Sequence, residues 1–178
     1  MRVVGGVYAV GALLVCVAGV LDLRRPGPVV RALADVGIRA TPVGVRTGAA
    51  GALVIAVVAL GGPGGAIGRV AAGLLGGLYV GFTAFVVLAL ARGRSRATCG
   101  CFGGDETPPS VVHAVVDMVL ATASIVVAVM PADGLPALIA GPPAPGSGVA
   151  LVALVGATTV LALVALTVLP RTLGLARG

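Results

Sequence analysis

Long apolar runs alternate along this chain with short stretches that collect its arginines, prolines and glycines. A helix needs about 20 predominantly apolar residues to cross the hydrocarbon core of a bilayer. Five runs reach or approach that length: 3–21, 45–60, 67–90, 111–130 and 149–169. Most end on a recognisable stop. The first meets Asp22 and Arg24-Arg25-Pro26, the third meets Arg92, Arg94 and Arg96, the fourth Pro131, and the fifth Pro170-Arg171. The second is short and Gly/Ala-rich, with Arg46 placed to snorkel at its start. The pattern predicts an all-α polytopic transmembrane helix bundle. Residues 1–130 form a four-helix membrane domain, 131–148 a Pro/Gly-rich linker, and 149–178 an additional transmembrane helix with a short basic tail.

The connections add detail. In the longest, 22–44, Val29, Val30, Leu33 and Val36 recur near helical spacing with Arg31 and Asp35 between them. A short interfacial helix is expected there, closed by Gly37. Residues 61–66 read as a tight Gly/Pro turn. The run 3–21 follows Arg2 and exceeds the roughly 7–15 residues of a secretory h-region, so it reads as a retained first helix.

Composition sharpens the class. Hydrophobic residues make up 58% of the chain and charged residues 10%, against roughly 25% charged in soluble domains. An ordinary wetted surface is excluded, and the lipid bilayer is the expected partner. The net charge of +6 comes from 12 Arg and no Lys. Those arginines border apolar runs, which fits orientation in the bilayer and contact with anionic lipid, not nucleic acid. Trp is absent and only five aromatic residues occur, so base stacking has little to work with. Abundant Gly and Ala favour close helix packing. Arg24, Arg25, Arg31, Arg39, Arg92, Arg94, Arg96, Arg171 and Arg177 fall on one side of the expected topology, against Arg2 and Arg69 on the other. The positive-inside rule places the third connection, 91–110, in the cytoplasm.

That connection carries the candidate chemistry, Cys99-Gly100-Cys101-Phe102-Gly103. Packing alone does not require two thiols one residue apart. The pair can form a tight, labile disulfide, eased by Gly100, or hold a soft metal ion such as Cu(I) or Zn(II). An inert pair in a turn is the third reading. Arg92, Arg94 and Arg96 just before it favour the thiolate. Cys16 is placed to lie below the pair as a resolving thiol, or serves as a small buried side chain. His113, the only histidine, follows on the first turn of the fourth long helix. It is a candidate general base or metal ligand, or an interfacial side chain bonded to nearby backbone. Asp117 lies one turn deeper on the same face, where a carboxylate marks a site or a buried partner. His113, Arg46 and Arg69 are its candidate partners. Asp22 is expected to pair with Arg24 or Arg25, and Ser110 to cap the fourth helix.

Taken together, these residues resemble the MauE family, within the wider MauE/DoxX group of redox-associated membrane proteins. The resemblance rests on Gly19-Val20 with Arg24-Arg25-Pro26, the run Arg31-Ala32-Leu33 to Gly37, and Arg92-Gly93-Arg94 before Cys99-Gly100-Cys101-Phe102-Gly103, with Ser110 and His113 following. It covers about residues 3–130 and leaves the fifth helix outside. Val116-Asp117 stands where the family often has Arg-Asn. The resemblance implies a four-helix bundle similar to membrane thiol oxidoreductases in a multi-pass bacterial cell-membrane protein. It also implies help in forming or delivering disulfides alongside a thioredoxin-like partner, without implying methylamine metabolism. In that reading Cys99 and Cys101 cycle between dithiol and disulfide, His113 assists proton transfer, and Arg94 and Arg96 tune the thiols. A role outside the membrane wants the cysteine connection facing outward, opposite to the arginine count. The rival readings are a soft-metal carrier and a membrane assembly factor whose cysteines are dispensable. No cofactor is identifiable, and a quinone site is conceivable in such a bundle without any residue that marks it.

Overall fold

The computed structural model describes residues 2–62, 65–92, 110–130, 155–161 and 164. The described residues contain four helices long and apolar enough to cross a membrane. These are α1 (Arg2–Arg24), α3 (Pro42–Gly61), α4 (Ala66–Ala91) and α5 (Val111–Val129), with the short α2 (Gly27–Asp35) between the first two. Each long helix matches its predicted run to within three residues at either end.

Local chemistry explains the boundaries. Thr41 accepts the Gly44 N–H at 3.1 Å, and Pro42 opens α3 at a position that needs no amide donor. Helix α2 is strongly amphipathic, and it ends at Gly37, whose φ of 85° is a left-handed conformation. Gly37 N–H bonds to Ala34 O at 2.9 Å, and Ile38 N–H bonds to Leu33 O at 2.8 Å. This is the paired-bond glycine stop expected from the sequence.

The helices pack as two antiparallel pairs, α1 on α3 and α4 on α5, joined by α3–α4 and α1–α5 contacts. In lipid the apolar effect offers little drive for helix association, so close approach and interhelical hydrogen bonds matter more. Small residues provide the approach. Ala12, Ala56, Ala59 and Ala72 are fully buried, and a Cβ on Gly76 of α4 would come within 2.9 Å of Ile125 Cγ1 on α5. Two tyrosines pin neighbouring helices. Tyr8 O–H donates to Ala59 O across α1–α3 at 3.0 Å, and Tyr79 O–H donates to Gly11 O across α4–α1 at 2.7 Å. Thr83 and Ser124 donate to carbonyls one turn back on their own helices, at 2.9 and 2.8 Å. Their hydroxyls are thereby satisfied without water.

Residues 155–161 are helical, within the run predicted as a fifth span. Val155 is buried in the same core as the four spans, and Thr159 O–H donates to Val155 O at 2.8 Å. The linker 131–148 and the remainder of the predicted fifth helix lie outside the described residues.

Candidate functional site

The antiparallel order brings the C-termini of α1 and α4 and the N-termini of α3 and α5 to one end of the bundle, together with α2. Arginines fasten this end. Arg46 Nε donates to Leu23 O at 3.3 Å, and an Arg92 guanidinium N–H donates to Val36 O just beyond α2. The chain leaves α4 at Arg92 and enters α5 from Ser110 at this same end. Cys99, Cys101, Arg94, Arg96, Gly100, Phe102 and Gly103 belong to the segment between them and lie outside the described residues.

A cavity of about 300 Å³ opens within this end. Helix α1 contributes Leu14, Val15, Ala18 and Asp22, and α2 contributes Val29, Ala32 and Leu33. The aromatic wall is Tyr79, Phe82 and Phe85 of α4, and α5 adds His113, Asp117 and Leu120. Positions 14, 18 and 22 recur every four residues, and 113, 117 and 120 every three or four. Each helix therefore presents one face inward.

His113 is 5% exposed, and its Nδ1 lies 2.7 Å from Ser110 Oγ. Ser110 stands at the predicted N-cap position with an extended backbone, but its hydroxyl makes no capping bond to the helix. The imidazole takes the hydroxyl in its place, while Ser110 O accepts the His113 N–H at 3.1 Å. The serine thus holds the histidine ring at the cavity wall.

Asp117 lines the cavity one turn deeper, as its spacing from His113 predicts. The other two suggested partners are engaged elsewhere. Arg46 bonds to Leu23, and Arg69 Nε donates to Ala128 O at 3.0 Å, three turns away at the opposite end of α5. Asp22 departs from expectation. It turns into the cavity, its Oδ1 is fully buried, and that oxygen has no hydrogen-bond partner. Arg24 and Arg25 follow on the exposed side, so the expected pairing is replaced by a carboxyl facing the interior. The signal was present in the sequence, because Asp22 extends the inward stripe of Leu14 and Ala18 by one more turn.

Cys16 is half-buried against the core, carries a free thiol and is not among the cavity's lining residues. Tyr79, Phe82 and Phe85 had no role assigned from sequence. Tyr79 and Phe82 meet edge to face with ring centroids 6.0 Å apart, which stiffens one wall. Among the described residues, no group of three or more His, Cys, Asp or Glu side chains is arranged to hold a metal ion.

Four apolar spans around a core of small residues define a multi-pass membrane protein of the helix-bundle class. The model of the family described as methylamine utilisation protein MauE matches residues 3–131, and the chain belongs to that family. The match ends where α5 ends, so the helical residues 155–161 fall beyond it. No curated protein and no solved structure matches the chain.

Proposed function

We propose that the protein is a thiol–disulfide redox protein of the bacterial cell membrane, with Cys99 and Cys101 as its working pair. One observation carries the reading. The CGCFG motif of a MauE-family chain lies on the connection between α4 and α5, whose ends flank a cavity walled by His113, Asp117 and Asp22. Dithiol oxidation forms one S–S bond and releases two protons with two electrons. A histidine held by Ser110 at that end is placed to take up and pass on protons. Arg94 and Arg96 stabilise the thiolate that starts exchange. A thioredoxin-like protein is the exchange partner, and its own dithiol reduces the Cys99–Cys101 disulfide through a mixed disulfide.

Trapping tests this. The full-length protein in nanodiscs is incubated with a thioredoxin-like protein lacking its resolving cysteine. A covalent adduct that dissolves with reductant and vanishes in Cys99→Ser/Cys101→Ser supports the reading. An adduct that persists in the double variant, or none at all, overturns it. Labelling intact cells with a membrane-impermeant maleimide before and after mild reduction then assigns the side of the pair.

A further inference from the structure

The cavity has three properties that together restrict its ligand. Its walls are overwhelmingly apolar, with three aromatic rings on α4. Its ionisable groups among the described lining residues are two carboxyls and an imidazole. Asp22 Oδ1 is buried without a hydrogen-bond partner, so a purely aliphatic occupant leaves it unsatisfied. The volume of about 300 Å³ lies at the small end of small-molecule pockets. One wall reaches the outer surface of α4 at Gly81, which is exposed, and a Cβ there would meet nothing within 4 Å. This is the side from which a ligand dissolved in the bilayer would enter.

We propose that this cavity binds a lipid-soluble quinone, with its ring among Tyr79, Phe82 and Phe85 and its oxygens toward Asp22, Asp117 and His113. Carboxyl and imidazole groups can donate to a quinone carbonyl in one protonation state and accept from a quinol hydroxyl in the other. The inference rests on the redox reading above, and it names the electron acceptor. The Cys99–Cys101 dithiol gives up two electrons and two protons as its S–S bond forms. The two quinone carbonyls take both and become the quinol hydroxyls, so no other co-reactant is needed.

The test uses the full-length protein in lipid nanodiscs and a decyl-tailed benzoquinone, with binding read from quenching of tyrosine fluorescence. Saturable binding is expected, weakened about tenfold in Asp22→Asn through loss of one carboxyl hydrogen bond. Ala18→Phe fills the cavity and abolishes binding. Gly81→Leu, at a position with open space around it, does so by closing the side entry. Each variant is compared with the parent by thermal melting, so that misfolding is seen separately. The variant Cys99→Ser/Cys101→Ser binds the quinone but no longer reduces it. Absence of saturable binding by the parent overturns the inference, as does unchanged affinity in both Ala18→Phe and Gly81→Leu. A rise in the parent's melting temperature with decylamine, in the absence of quinone binding, reassigns the cavity to an organic cation and also overturns it. A parent that exchanges with the thioredoxin-like protein but binds no quinone keeps the redox reading and loses this inference. Quinone binding without any thiol exchange supports the cavity assignment and removes the redox reading.

Discussion

The two ends of this bundle are built from the same apolar alphabet and packed by opposite rules. At the end where α1 and α4 begin, alanine and glycine let the helices close on one another. Ala56, Ala59 and Ala72 are fully buried, and Gly76 admits Ile125 to a distance that a side chain of its own would forbid. At the end where α2 lies, the helices carry Phe82, Phe85, Asp22, His113 and Asp117, and a cavity remains between them. Residues that pack closely hold the bundle together, and residues that cannot pack closely line its hollow. Carboxyls and imidazoles are costly within a membrane, and here Asp22, His113 and Asp117 gather at the hollow end.

The sharpest way to break this comparison is to crowd the closed end. Gly76→Leu drives a side chain into Ile125 and is expected to destabilise the protein by about 3 kcal/mol, the upper end of the usual range for overpacking. Thermal melting in detergent measures it. Gly77→Leu, one position along with open space around its Cβ, should stay within about 0.5 kcal/mol and serves as the contrast. If both variants melt alike, close packing at Gly76 is not what holds α4 to α5.

Removing the tyrosine pins comes next. Tyr79→Phe deletes the 2.7 Å bond to Gly11 O and Tyr8→Phe the 3.0 Å bond to Ala59 O. Each should cost about 1–2 kcal/mol, because a buried hydroxyl partner is lost while the shape is kept. A smaller effect is expected at the α2 stop. Gly37→Ala places a Cβ on a residue with φ of 85° and should cost about 1 kcal/mol. The smallest stability change belongs to Ser110→Ala, because that hydroxyl caps no backbone amide. Its expected effect is chemical: freeing His113 from its 2.7 Å partner should slow thiol exchange several-fold and leave the melting temperature within error. A large loss of stability with unchanged exchange would show that Ser110 serves the helix instead.

Most of the scaffold was legible in the sequence. The length of the apolar runs predicted five spans, of which four are seen among the described residues, and the pattern of residues 29–37 predicted α2 and its glycine stop. Periodicity also put His113 and Asp117 on one face. Asp22 was misread because a carboxylate two residues before an Arg-Arg pair looks like a local ion pair, and sequence distance was allowed to outweigh helical phase. The aromatic wall went unassigned because Tyr79, Phe82 and Phe85 are equally at home in an ordinary core.

The sequence by itself determined the class of protein, four of its spans and the family to which it belongs. Those properties follow from local composition, the length needed to cross a bilayer and a match spread over residues 3–131. Only the tertiary structure decided that Asp22, Tyr79, His113 and Asp117 share one cavity, and that Arg69 belongs to the opposite end. Helical phase tells which way a side chain points, but the partner it meets depends on how the antiparallel pairs are set against one another. That setting comes from contacts such as Gly76 with Ile125 and Tyr79 with Gly11, which lie tens of residues apart along the chain.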